Sequence, residues 1–202
     1  SFLSKGMLRK ARSKAAKNVA LLKHLISEST PLICIEPSAI LTFRDEYPDM
    51  LRGEEKDDSI AIAKHALMFD EFIMREAEKG KITSSVFTDS EKHIFLHGHC
   101  HQKALASTGP TKAMLSLPAN YKVRELKTGC CGMAGSFGYE QEHYELSMKV
   151  GELVLFPEVR KAKDDTIIAA PGTSCRHQIK DGTGRTAYHP VEVLYMALKT
   201  NH

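Results

Sequence analysis

The sequence predicts an α/β fold: a mostly parallel sheet flanked by helices, built as two pseudo-repeats of which the first is truncated. Three observations lead there. Short apolar runs alternate with segments of helical periodicity, the signature of parallel strands joined by helical crossovers. Four of five cysteines fall just past such runs. One half of the chain also echoes the other at a nearly constant offset.

The first 29 residues, "SFLSKGMLRKARSKAAKNVALLKHLISES", carry no acidic residue before Glu28. Basic, Ser-containing and amphipathic, they are compatible with a mitochondrial transit peptide. Leu8, Ala11, Ala15, Val19, Leu22 and Ile26 keep steps of three or four, which favours a helix packed on a core. Thr30-Pro31 ends that pattern, and "LICIE" (32–36) reads as a short buried strand. "PSAILTFRDEYPDML" follows as a turn and helix, and "RGEEKDD" (52–58) as a loop. Asp58 or Ser59 then caps a long helix running to Lys79 and stopped by Gly80. "HIFLHG" (93–98) is a strand, "HCHQKALAS" opens a helix, and "YKVRELK" (121–127) is a strand. "GYEQEHYELSMKVGELVL" (138–155) is a helix, "TIIAA" (166–170) a strand and "YHPVEVLYMALK" (188–199) a closing helix.

Composition narrows the function. The 202 residues are 42% hydrophobic and 26% charged, with a net charge of +3. That is an ordinary globular mixture with too little basic excess to argue for nucleic acid. No apolar run approaches the ~18–20 residues of a transmembrane helix. Five cysteines without a secretory signal suggest a reducing compartment, where clustered thiols more often bind metal than pair. A cytoplasmic protein is expected, with peripheral attachment at a membrane left open.

On the strand map, Cys100, the adjacent Cys130 and Cys131, and Cys175 each follow a different strand. Ligands of open parallel sheets bind beyond the carboxyl ends of the strands, so these loops deliver four cysteines to one edge. Cys34 lies inside a strand pattern and reads as a small core residue. There are 29 residues between Cys100 and Cys130 and 43 between Cys131 and Cys175. Such spacing is unlike zinc knuckles or ferredoxins, where one loop supplies most ligands; the fold must assemble this site. Thiolates suit zinc and iron–sulfur clusters, and adjacent sulfurs suit a multinuclear cluster because they can reach different irons. Gly132, Gly135 and Gly138 would let backbone N–H groups point at an anionic cluster, helped by the N-terminus of the next helix. His97, His99, His101, His177 and His189 crowd the same loops as ligands, donors to sulfur or acid/bases. Arg176 and Lys103, beside cysteines, either offset negative charge or are simply solvated.

The repeat is read from Ser1-Phe2 on Ser136-Phe137 at an offset of 135, and Ser38-Ala39 on Ser174-Cys175 at 136. It divides the chain into residues 1–85, the C-terminal part of a first repeat, and 86–202, a second. Ala39 then occupies a cysteine position of the second half. The chain is expected to begin just after a lost counterpart of "CCGMAG".

"HCH" (99–101), "GCCGMAGSFG" (129–138) and "PGTSCRH" (171–177), preceded by "EPSAILTFRDEYP" (36–48), resemble the cysteine-rich CCG domains. These occur in the glycolate oxidase iron–sulfur subunit, in the C subunit of anaerobic glycerol-3-phosphate dehydrogenase and in the B subunit of heterodisulfide reductase. The chain is most similar to the C-terminal part of fused proteins joining an FAD-linked oxidase to ferredoxin-like and CCG segments. The resemblance implies Cys100, Cys130, Cys131 and Cys175 as ligands of an iron–sulfur cluster, of the 4Fe-4S kind. It places Gly132, Gly135, His99, His101 and His177 around that cluster, which oxygen can destroy during purification. Gly172 stands where the family often has a further cysteine, and Ala39 replaces another, which argues against a five-thiolate noncubane cluster.

The implied function is an electron-transfer module of an FAD-linked oxidoreductase acting on a glycolate- or lactate-like 2-hydroxy acid. Its implied partners are a flavin-containing dehydrogenase domain or subunit and a ferredoxin-like Fe-S domain. The fragment alone is not expected to oxidise the acid. The alternatives are a zinc-stabilised structural or docking domain, and a thiol–disulfide reductase module working through Cys130 and Cys131.

Overall fold

The computed structural model describes residues 2–199, so Ser1 of the repeat pair lies outside the described residues. The chain divides between Phe69 and Asp70 into two compact units; the expected repeat boundary at 85/86 lies within the second.

In the first unit, α1 (Leu8–Leu22) buries Ala11, Ala15 and Val19, the centre of the predicted stripe. Leu8 opens the helix and is 61% exposed. Ala15 and Val19 pack with Tyr47, Leu51 and Ile62, and Asn18 donates to the Tyr47 hydroxyl at 2.7 Å. After β1 (Leu32–Cys34) come α2 (Pro37–Arg44), with proline in its first turn, and α3 (Glu46–Met50). Gly53 turns the chain at φ 54° into α4 (Glu54–Ala63), whose first turn holds Glu54, Glu55 and Asp57. Negative charge there favours the positive end of the helix dipole.

Two expectations need correcting here. The predicted 58–79 helix is interrupted: α4 starts earlier and ends at Ala63, and β2 (Ala66–Met68) follows before α5 (Phe69–Glu78). Residues 66–68 pair in parallel with β1, Leu32 opposite Ala66 and Cys34 opposite Met68. The pairing partner of β1 therefore outweighs the local helical pattern. The buried strand read from "LICIE" is only half covered, with Ile33 and Ile35 exposed and Cys34 half-buried. Gly80 does stop α5, at φ 74°.

The second unit carries four parallel strands: β3 (Lys92–Leu96), β4 (Tyr121–Glu125), β5 (Ile167–Ala169) and β6 (Ala187–Tyr188). Their spatial order is β4-β3-β5-β6. Ile94 of β3 sits opposite Val123 on one side and Ile167 on the other. The chain leaves β3 toward β4 and then returns to β5, so a topological switch point lies between β3 and β5. That is the crevice where open α/β sheets bind ligands.

Besides α5, which lies in this unit from Asp70 onward, it carries α6 (Cys100–Leu105), α7 (Gly109–Leu115), α8 (Tyr144–Leu153), α9 (Leu155–Arg160), α10 (Thr173–Thr183) and α11 (Pro190–Met196). Of these, α7 and α10 have no counterpart among the expected elements. The helix expected over 138–155 is shorter, since two 3₁₀ turns precede Tyr144 and α9 is separate. The core runs through Leu155, Phe156, Val159, Ile168 and Ile179 and reaches Cys131 and Cys175 at its margin. Among the described residues, no helix is long and apolar enough to cross a membrane.

Candidate functional site

Three adjacent strands of the second unit end at the same edge, and each is followed by cysteine. Cys100 is the first residue of α6 after β3, Cys130 and Cys131 follow β4, and Cys175 lies in the first turn of α10 after β5. The four sulfurs form a row. Cys100 contacts Cys130, Cys130 contacts Cys131, and Cys131 contacts Cys175 through side-chain hydrogen bonds. The row descends from solvent into the core: Cys100 is exposed, Cys130 half-buried, Cys131 and Cys175 buried, and all are free thiols. Cys34 belongs to the other unit.

The four thiols are perturbed in opposite directions along the row. Hydrogen bonding to Cys130, reinforced by burial, pushes the Cys100 thiol up. Hydrogen bonds to Cys130 and Cys175, again with burial, push Cys131 up. Cys130 is held below the ordinary thiol range by Cys100 and Cys131 and by the N–H groups of Gly132 and Ala134. Cys175 is held low first by Cys131, then by a hydrogen bond from His97 and the charges of His97 and His99. A metal binding all four would displace protons.

The loop after Cys131 is built around glycine. Gly132 has φ +101° and donates its N–H to Cys130 Sγ at 3.3 Å. A Cβ there would stand 2.1 Å from the Ser147 carbonyl oxygen, so only glycine lets the loop sit against α8. Ser147 is fully buried and takes Gln178 Nε2 on its carbonyl at 3.0 Å and on its hydroxyl at 2.9 Å. Gln178 lies three residues beyond Cys175 on α10, so this network ties both cysteine segments together. Gly135 also has a positive φ, +72°. The expected help from a following helix N-terminus is not what the structure provides, because α8 begins only at Tyr144. The donors to sulfur come from the loop itself: Gly132 and Ala134 to Cys130, Met133 to Cys131.

The β3 end is braced separately. Gln102 of α6 donates to Thr111 Oγ1 at 2.8 Å and to the Ser107 carbonyl at 3.1 Å. Asp70 of α5 accepts from the Thr111 hydroxyl, from Gln102 at 3.4 Å and from the Glu71 N–H at 2.9 Å. Burial raises the Asp70 carboxyl. Lys103 reaches across to the Thr128 carbonyl at 2.6 Å, so its ammonium clamps the loop leading to Cys130.

The histidines separate into distinct roles. His99 is buried at the N-cap of α6, and its ring lies against Gly172. The His101 backbone N–H donates to Cys100, while its ring is 6.5 Å from that of His99. His177 is exposed and bonds Tyr139 Oη at 2.6 Å. His189 caps α11, its Nδ1 accepting from Val191 N at 3.0 Å while Glu192 accepts its N–H at 2.6 Å. Arg176 donates to the carbonyls of Ala170 at 2.9 Å and Pro171 at 2.7 Å, so it shapes the β5–α10 turn. His97 emerges instead. It is 1% exposed and groups with Cys131 and Cys175, the donor atoms all within 4.8 Å of one another. The sequence placed it among five candidates, but its neighbours come from strands distant in sequence.

The donor set is soft, compact and supplied with backbone N–H groups. These properties fit an iron–sulfur cluster or a thiolate-bound ion.

No family model matches the chain, and no solved structure matches it. Curated relatives exist, however. The chain is 31% identical over 192 residues to D-2-hydroxyglutarate dehydrogenase of Pantoea ananatis, covering 94% of the chain and 18% of that protein. It is 28% identical over 196 residues to D-2-hydroxyglutarate dehydrogenase of Escherichia coli, covering 96% of the chain and 18% of that protein. It is also 25% identical over 197 residues to the C subunit of anaerobic glycerol-3-phosphate dehydrogenase of Escherichia coli, covering 97% and 48% respectively. The chain therefore spans under a fifth of the first two and about half of the third.

Proposed function

We propose that this chain is an iron–sulfur electron-transfer module of an oxidoreductase acting on a 2-hydroxy acid. The observation that carries the reading is the row of four thiols delivered by three adjacent strand ends at the switch point of the sheet. Cys100, Cys130, Cys131 and Cys175 would hold the cluster, which supplies one-electron storage that side chains lack. The N–H groups of Gly132, Met133 and Ala134 would stabilise its sulfur charge. Cys100, exposed, marks the end facing a redox partner.

The relatives support the division of labour. Proteins named for D-2-hydroxyglutarate and for glycerol-3-phosphate share this segment although their named substrates differ. A shared segment serves a shared step, and electron relay is common to both dehydrogenations. The hydroxy acid site, the FAD and a ferredoxin-like domain belong in this reading to other parts of the protein. Among 2-hydroxy acids, D-2-hydroxyglutarate has better support than glycolate or lactate, from the relatives' names. We place the protein in the cytoplasm, with attachment at the membrane face as a further option.

The test is anaerobic purification followed by iron, acid-labile sulfide and zinc analysis with a visible spectrum. Iron and sulfide in comparable amounts, lost in Cys130→Ser and Cys175→Ser but kept in Cys34→Ser, are expected. Stoichiometric zinc without iron or colour would move the chain to the structural-domain reading.

A further inference from the structure

We propose that His97 is itself a metal ligand, its Nε2 joining the sulfurs of Cys131 and Cys175 in holding the metal centre at the buried end of the thiol row. The inference deepens the iron–sulfur reading, on which it rests for the identity of the metal.

Geometry gives the first argument. Tetrahedral bonds of about 2.0–2.3 Å place neighbouring donor atoms ~3.5–4 Å apart. The three donors already lie within 4.8 Å of one another, so they converge on one centre.

The second argument is the orientation of the ring. His97 Nδ1 lies 2.6 Å from Thr128 Oγ1. A ligating imidazole characteristically keeps its proton on the other nitrogen and gives it to an oxygen, which fixes tautomer and ring plane. Thr128 is placed to be that oxygen, and in that tautomer the Nε2 lone pair is left for the metal. Thr128 is itself held, its N–H donating to the Leu126 carbonyl at 2.8 Å and its carbonyl accepting from Lys103 at 2.6 Å. The His97 backbone N–H donates to the Ala169 carbonyl at 2.9 Å, which anchors the residue in the crevice between β3 and β5.

A purely structural histidine would account for the Thr128 bond. The same ring donating to Cys175 would satisfy its other side as well; what exceeds a structural role is its convergence with two sulfurs in one compact donor set, at 1% exposure. Replacing a thiolate by neutral imidazole lowers the negative charge of a donor set. Histidine ligation raises the potential of iron–sulfur centres, so His97 would make this site easier to reduce than an all-thiolate one.

Cobalt(II) titrated anaerobically into the iron-free chain tests the proposal without relying on cluster assembly. The chain is prepared with natural-abundance and with ¹⁵N-labelled histidine, and pulsed EPR reads the hyperfine coupling. A histidine nitrogen coupling is expected in the wild type and absent in His97→Ala. His97→Cys should bind cobalt with stronger sulfur-to-metal charge transfer and no coupling. Thr128→Val should keep the coupling while weakening cobalt binding about 10–100-fold. Should His97→Ala fail to fold, His97→Cys makes the same comparison. A wild-type complex without histidine coupling, coupling that survives in His97→Ala, or no cobalt binding overturns the proposal. Iron and sulfide without histidine coupling would sink the role of His97 alone. Histidine-coupled cobalt in a chain that takes up no iron or sulfide would sink the cluster reading alone.

Discussion

A Cβ atom on Gly172 would stand 2.3 Å from Cδ2 of the His99 ring and 3.2 Å from Cys175 Sγ. The His99 ring thus occupies the space that a side chain at position 172 would need, and both residues are buried. Gly172 is also the N-cap of α10, in ordinary extended conformation at φ −76°. Any substitution there acts through the ring rather than through backbone strain.

Gly172→Ala should therefore displace His99 and loosen the buried end of the site. The expected result is a lower metal content per chain with far-UV circular dichroism unchanged. Gly172→Ala combined with His99→Ala should recover part of the loss, since the clash partner is removed. Equal metal content in wild type and Gly172→Ala would show that the ring yields without consequence.

Gly132→Ala should behave differently, because the added methyl meets backbone. At φ +101° and 2.1 Å from the Ser147 carbonyl, the substitution combines conformational strain with a collision that no rotamer relieves. Strain of this kind costs about 1–3 kcal/mol before the clash is counted. Urea unfolding of the metal-free chain should show at least that loss, together with loss of the Gly132–Cys130 bond. A midpoint equal to wild type would mean that the loop adopts another course.

Much of this was legible in the sequence, and the missing parts share a cause. Strands β3, β4 and β5 stand out as apolar runs, and the convergence of cysteines after them follows from the rule for parallel sheets. The strand β2 was hidden because Ala66–Met68 sits between helical segments and is defined only by its partner Leu32–Cys34. His97 could be named but not singled out, since its Thr128 and Cys175 contacts span 31 and 78 residues of chain. Gln178 and Ser147 carry no local signature at all: they are an ordinary helical glutamine and serine until α8 and α10 are placed side by side. His189 misled for the opposite reason, because a cap and a ligand are the same residue in a one-dimensional pattern.

Phe156 offers a packing test outside the site. Cβ atoms on Gly151 of α8 and Gly182 of α10 would each come within 2.3 Å of its ring, and the residue itself is fully buried. Two helices thus approach α9 through glycine. Gly151→Ala and Gly182→Ala should each destabilise the chain by about 1–3 kcal/mol, the usual cost of overpacking. Both changes acting on one ring, the double variant should cost a different amount from the sum of the singles. Additive losses would mean that the ring does not couple them.

The pH dependence of stability should expose Glu76. Lys81 donates to its carboxylate at 2.6 Å and Lys79 at 2.9 Å, and these bonds hold its pKa at about 2 against an ordinary 4.5. The unfolded chain therefore binds this proton at higher pH than the folded chain does. Stability from Glu76 is then fully present above about 4.5 and is lost as pH falls toward 2. Glu76→Gln should lower the urea midpoint at pH 7, and the gap to wild type should narrow steadily below pH ~4.5. High salt should shrink the gap at pH 7 as well, because Lys79 and Lys81 are largely exposed. A gap that stays constant from pH 7 to pH 3 would assign the effect to packing of the side chain instead of its charge.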